Sequence, residues 1–205
     1  MITRRALLVG YPGEKNNKHY CQGVNEDLKN YKSFLLSPLG GTWYEDEVDV
    51  LIQPSIPELR ISLHLLRGHD YSLVIFTGHG YYSLEQDSTI LEINKNDEIE
   101  SEELMNKTDK QTVILDCCRK VERIVVSEER EILRKAVGME LDPTTCRKCY
   151  DKKIEQCDRD IIVMYACDID EKAIDRPEGG LYSSSLLKSV QHWYQNISNN
   201  SNTNL

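Results

Sequence analysis

A chain of 205 residues with 40% hydrophobic and 29% charged residues is long enough to bury one core and too apolar to be a disordered chain. Its 25 Lys and Arg against 34 Asp and Glu give a net charge of −9, which disfavours a nucleic-acid partner because phosphate-backbone affinity rests on positive surface. The longest apolar stretch, Ala6-Leu7-Leu8-Val9-Gly10-Tyr11, is far short of the ~20 residues of a membrane span and carries no small-residue cleavage site. Neither a membrane partner nor a signal peptide is expected. Seven cysteines, an odd number without an export signal, point to free thiols in a reducing cytoplasm rather than to a disulfide framework.

Apolar runs of strand length recur at residues 5–11, 48–52, 71–77, 112–116 and 161–166, with amphipathic segments between them. Such alternation predicts βαβ units and a mostly parallel sheet of about six strands flanked by helices, an α/β fold in a single domain over residues 1–205. After the first run, Val24, Leu28, Tyr31 and Leu35 fall on one helical face that should pack on the sheet. Ser55 followed by Glu58 reads as a capping box, and Leu59, Leu63 and Leu66 continue a helical stripe up to Gly68. Residues 119–158 carry ten basic and nine acidic side chains and read as a solvated helix followed by a loop. A last helix is expected over 184–196, with Leu187, Val190 and Tyr194 on one face, and residues 199–205 read as a frayed tail.

Two strand ends carry the candidate chemistry, because parallel sheets place their sites in the crevice outside the carboxyl ends of their strands. The first is Val74-Ile75-Phe76-Thr77-Gly78-His79-Gly80, and the second is Val113-Ile114-Leu115-Asp116-Cys117-Cys118. A His between two glycines sits on backbone that can turn sharply and approach a substrate. A Cys just past a buried strand can serve as a thiolate nucleophile. Either residue alone is more often structural; together, at the ends of two core strands, they suggest a Cys/His dyad.

These motifs, Thr77-Gly78-His79-Gly80 and Asp116-Cys117-Cys118, resemble the paired His and Cys motifs of the caspase-like cysteine peptidases, in particular the metacaspases and their bacterial relatives. The resemblance extends to Arg5-Ala6-Leu7-Leu8-Val9-Gly10, Gly23-Val24-Asn25-Glu26-Asp27-Leu28-Lys29-Asn30, Tyr165-Ala166-Cys167-Asp168-Ile169-Asp170-Glu171 and Gly180-Leu181-Tyr182-Ser183, and so covers most of the chain. It implies the caspase-like fold and a cysteine endopeptidase with Cys118 as nucleophile, His79 as general base and later acid, and the backbone N–H groups of Gly80 and Cys118 as oxyanion hole. It leaves Cys117 a structural role. The position two before the nucleophile is Asp116, which disfavours an acidic P1 residue. Asp27, Thr77 and Asp116, with Asp170 as a weaker addition, resemble an acidic pocket for the P1 side chain, so cleavage of protein substrates after Arg or Lys is expected. For Asp27 a helix-start capping role is an equal alternative. The segment after the nucleophile, Cys118-Arg119-Lys120-Val121, departs from the metacaspase pattern, and the basic residues of 119–158 make self-cleavage there an open expectation.

No cofactor is required by this reading, although the metacaspase resemblance raises activation by calcium. A role in bacterial cell death or antiphage defence follows at the level of resemblance only, and a monomer or weak dimer is expected. Cys146-x2-Cys149-x7-Cys157 offers three thiols for zinc, but one CxxC with an irregular follower is a modest signal and no metal site is expected. Two rivals remain open: a catalytically silent caspase-like domain acting as a binding module, and a zinc- or redox-responsive module built on the Cys146, Cys149 and Cys157 loop.

Overall fold

The computed structural model describes residues 2–105, 107–121 and 141–202, with side chains described as far as Tyr194. Eight strands and four helices follow in the order β1 (Arg4–Tyr11), α1 (Gly23–Leu36), β2 (Val48–Ile52), α2 (Ile56–Leu66), β3 (Tyr71–Gly78), β4 (Gly80–Ser83), β5 (Ser88–Glu92), β6 (Glu98–Glu100), β7 (Gln111–Cys117), α3 (Pro143–Gln156), β8 (Ile161–Tyr165) and α4 (Leu181–Asn202). The five runs read from the sequence all become strands of one fully parallel sheet, in the order β2-β1-β3-β7-β8. Five, rather than about six, strands form this sheet among the described residues. The remaining strands, β4, β5 and β6, pair antiparallel in a separate small sheet that the apolar pattern did not announce.

The continuous apolar character of β1, β3 and β7 reflects burial on both faces of a parallel sheet. On one face Leu7, Val9, Val74, Phe76, Val113 and Leu115 pack against Leu59, Leu63 and Leu66 of α2, against Leu91 and Ile99 of the small sheet and against Ile93 just after β5. On the other, Ala6, Leu8, Leu73, Ile75 and Ile114 meet Leu28, Tyr31 and Leu35 of α1, with Leu186 and Leu187 of α4 packed behind them. The helical face expected on α1 is thus the buried one. In α2 the capping box forms as expected: the Glu58 N–H donates to Ser55 Oγ, and Glu58 Oε2 accepts the Ser55 N–H at 2.9 Å.

Two expectations are corrected. The charged segment is not uniformly solvated: on α3, Arg147 is only 8% exposed and holds Glu47 through two bonds of 2.6 and 2.9 Å, its guanidinium lying 3.9 Å over the Tyr44 ring. Beneath it the buried Arg4 donates to the Gly41 carbonyl, lies 4.5 Å over Trp43 and stands 3.5 Å from Asp151 of α3. These pairs fasten α3 to the amino-terminal end of β1 and to the chain ahead of β2. The last part of the segment is the helix α3, while residues 122–140, with the basic residues Arg123, Arg130, Arg134 and Lys135, lie outside the described residues. At the end of the chain, α4 continues to Asn202, so most of the expected frayed tail is helical; residues 203–205 lie outside the described residues.

Burial separates the core from the open edge at β8. Phe76 is fully buried, and Phe76→Ala is expected to cost about 3–5 kcal/mol. Ile162 on the edge strand is 59% exposed, and Ile162→Ala is expected to cost well under about 1.5 kcal/mol. Urea denaturation midpoints of the two variants check both values.

Candidate active site

The register of the central sheet assembles the site. Thr77 pairs with Asp116 and Gly78 with Cys117 across β3 and β7, so His79 and Cys118 are the next residues to leave two neighbouring parallel strands at their carboxyl ends. Adjacent strands lie ~4.8 Å apart, which puts the two backbones side by side. On the other flank of β3, Tyr11 of β1 pairs with Gly78, so the chain after β1 enters the same crevice. Cys117 points into the core at 1% exposure, while Cys118 and His79 are half-buried at the rim. Gly80 opens β4 directly over this point: a Cβ there would stand 3.0 Å from Cys117 Sγ.

Below the rim lie two buried carboxylates, Asp27 and Asp116, with a third, the more exposed Asp175, beside them. Asp27, in the first turns of α1, is 1% exposed; it accepts the Gly180 N–H on both oxygens, at 2.9 and 3.0 Å, and the Thr77 hydroxyl at 3.1 Å. Asp116 is 6% exposed and accepts the Ser183 N–H at 3.2 Å and its hydroxyl at 2.5 Å, both on Oδ2, so that no hydrogen bond of the described residues reaches Oδ1. Asp175 accepts the Gly23 N–H at 3.0 Å. Residues 175–183 are therefore drawn over the strand ends by Asp116 of β7, by Asp27 of α1 and by their own Asp175. Gly180 is required there, because a Cβ would come within 2.7 Å of Asp116 Oδ2 and 3.2 Å of Asp27 Oδ2.

Burial is the first cause of the electrostatics. It raises Asp27 to about 7, helped by the like charge of Asp116, and it raises Asp116 and Asp175 above the usual carboxylate range. Burial also lifts the Cys118 thiol, against which Lys172 acts in the opposite sense, while Asp116 and Asp175 oppose ionisation. Sγ stands 3.7 Å from the Ala173 carbonyl oxygen, and with burial disfavouring ionisation a thiolate here needs a base at hand. Among the described residues no hydrogen bond joins Cys118 to His79; the sulfur beside the imidazole is Cys21, 3.6 Å from Nε2.

The structure thus brings His79, Gly80, Cys118, Thr77, Asp27 and Asp116 to one crevice. Asp170 stays outside it, in a loop with positive φ of 64°, where it pairs with Lys120 at 3.1 Å and is 63% exposed. The departure Arg119-Lys120-Val121 is tied down: Arg119 exchanges backbone bonds with Glu171 and Asp170, and its guanidinium lies 3.9 Å over Tyr165. Cys146 and Cys149 lie one turn apart on α3 and Cys157 caps its end, and among the described residues no three His, Cys, Asp or Glu side chains are grouped to hold a metal ion. Sequence reasoning missed Asp175 and Cys21. Neither stands in a strand or helix, and nothing in their local sequence marks them; only the folding of both loops onto the strand ends does.

The buried Asp27 gives a signed prediction. Its folded value near 7, above the ordinary 3.8, means the folded state binds this proton more tightly than the unfolded one. The stability this group contributes is present at acid pH and is lost as pH rises through about 7. In Asp27→Asn, thermal melts should decline less steeply than the parent's between about pH 5 and pH 8.

The caspase-domain family model (peptidase family C14) matches residues 3–204. No curated protein sequence is significantly similar to the chain. Solved structures with a similar fold include caspase-1 from Spodoptera frugiperda, 13% identical, with 93% of this chain and 70% of that one covered at a TM-score of 0.57. A protein from Geobacter sulfurreducens is 12% identical over 93% of this chain and 82% of its own, also at a TM-score of 0.57. At such identities the likeness speaks for the fold alone, whereas the family match spans nearly every residue of the crevice and its supports. The chain belongs to the caspase-domain family of cysteine peptidases.

Proposed function

We propose that the protein is an endopeptidase in which Cys118 and His79 form the catalytic dyad and the carboxylates beside them select a basic P1 residue. The observation that carries this reading is the convergence of Asp116, Asp175 and Asp27 on the crevice that His79 and Cys118 flank, with Asp116 Oδ1 left as an acceptor. A guanidinium or ammonium entering there would meet negative charge in a poorly solvated place, where charge-assisted bonds are strongest. It would also favour ionisation of the raised carboxylates, whereas an acidic P1 side chain would add a further negative charge to the crevice. Asp27, with both oxygens engaged by Gly180 and Thr77, acts chiefly by shaping the pocket and by its charge.

In the reaction, His79 takes the Cys118 thiol proton and the thiolate forms a C–S bond with the scissile carbonyl carbon. The displaced π pair resides on the carbonyl oxygen, held by the N–H groups of Gly80 and Cys118. Collapse breaks the C–N bond, and the departing amine takes the proton from His79. Water, deprotonated by the same imidazole, then hydrolyses the thioester and returns the thiol.

Fluorogenic peptides ending in Arg, Lys or Asp, with and without calcium, test this reading. Turnover after Arg or Lys is expected, with none after Asp, and both Cys118→Ala and His79→Ala should abolish it. Asp116→Asn should lower kcat/KM for Arg substrates at least about tenfold, the loss of one charge-assisted bond of about 1.5–3 kcal/mol. Turnover after Asp would overturn the pocket, and turnover that survives Cys118→Ala would overturn the dyad.

A further inference from the structure

The last torsion of an aspartate side chain is broad and two-fold, so the plane of the Asp116 carboxylate must be fixed from outside. The first turn of α4 does this. Ser183 donates to one oxygen twice: its N–H reaches Asp116 Oδ2 at 3.2 Å and its hydroxyl reaches the same atom at 2.5 Å. A carboxylate oxygen has about two lone-pair sites, so Oδ2 is filled and Oδ1 is the oxygen left over. Gly180 walls off the filled oxygen, since a Cβ there would stand 2.7 Å from Oδ2.

The two bonds from Ser183 have different origins. Its N–H belongs to a helix start, where backbone donors lack intrahelical acceptors; that of Leu181 goes to the Ile174 carbonyl at 2.8 Å, and that of Ser183 goes to Asp116. The hydroxyl is not demanded by the helix. It lies on a side chain of 0% exposure, where an unbonded hydroxyl is costly, and it gives its one hydrogen to Asp116.

We propose that Ser183 is a positioning residue for substrate selection: its hydroxyl holds the Asp116 carboxylate ionised and in the plane that presents Oδ1 to a basic P1 side chain. The inference rests on the peptidase reading above and names the residue that aims its pocket. Both Ser183 bonds favour the ionised form of Asp116 against burial, so loss of the hydroxyl raises Asp116 further. The other ionisable groups around Asp116 are Asp27 and Tyr31 on α1, Asp175 ahead of α4, Tyr182 on α4, Cys21 after β1, and Cys117 and Cys118 beside it in sequence; His79 faces Asp175. All of these are kept in the variants below, so a difference between variants reports the hydroxyl.

The test compares Ser183→Ala with Ser183→Thr, which keeps a hydroxyl, on peptides with Arg or Lys at P1. Ser183→Ala should raise KM about tenfold with kcat within about twofold, and Ser183→Thr should recover most of that loss. The rise of KM on acidification should also begin at higher pH in Ser183→Ala than in the parent, because Asp116 takes up its proton earlier. A KM unchanged in Ser183→Ala, a loss confined to kcat, or a threonine variant as impaired as the alanine one would each overturn the proposal. A second readout needs no substrate: the titration of the Asp116 carboxyl carbon by NMR, its signal assigned by its absence in Asp116→Asn. The midpoint should move up in Ser183→Ala and return in Ser183→Thr. A midpoint that stays in place in Ser183→Ala would overturn the role of Ser183 alone, whereas a parent that cleaves neither Arg nor Lys peptides would overturn the peptidase reading and this inference with it.

Discussion

The parallel pairing of β3 with β7 is the constraint on which the rest depends. Because Gly78 stands opposite Cys117, the backbone leaves both strands at one level, and any side chain that follows must share a single crevice. A shift of one residue in that pairing would turn every inward side chain of β7 to the other face, breaking the alternation that buries Val113, Leu115 and Cys117 on one side and Ile114 on the other. Hydrophobic packing on two faces thus fixes the relative height of an imidazole and a thiol, and the fold sets the chemistry's geometry before any polar contact is made.

The buried carboxylates complete the crevice from the far end of the chain. Asp27 and Asp116 accept bonds from Gly180 and Ser183, more than sixty residues away in each case, and so draw the loop before α4 across the strand ends. Each would be costly in a dry place without donors. The donors supply bonds without supplying a compensating positive charge, so the cost of burial shows as a raised affinity for protons. Positive charge beside them would answer that imbalance, so the two groups that fasten the loop are also the ones that most favour a cation nearby.

The five core strands, the buried stripe of α1 and the capping box of α2 were all legible in the sequence, because each follows from a periodicity or a local bond that short segments carry by themselves. The strand-end residues His79 and Cys118 were legible for the same reason, their strands being unmistakable. The small antiparallel sheet was not, since β4, β5 and β6 are short, and its apolar residues Ile90, Leu91 and Ile99 are too few to set a period. Asp175 and Cys21 lie in irregular chain whose path is decided by bonds to distant partners, and the solvated look of 119–158 concealed Arg147 because a buried, paired arginine has the same letter as an exposed one.

The anchoring of α3 bears on the covalent continuity of the molecule. The portion of the chain from residue 141 onward is joined to the earlier portion by the β7–β8 ladder, by the pairing of Arg147 with Glu47, by the contact of Arg4 with Asp151, and by the seating of Gly180 and Ser183 on Asp27 and Asp116. These attachments lie at both ends of the sheet and do not depend on the peptide bonds between β7 and α3. A backbone severed between residues 122 and 140 would yield two polypeptides still joined by these contacts, with His79 and Cys118 on the first and Gly180 and Ser183 on the second.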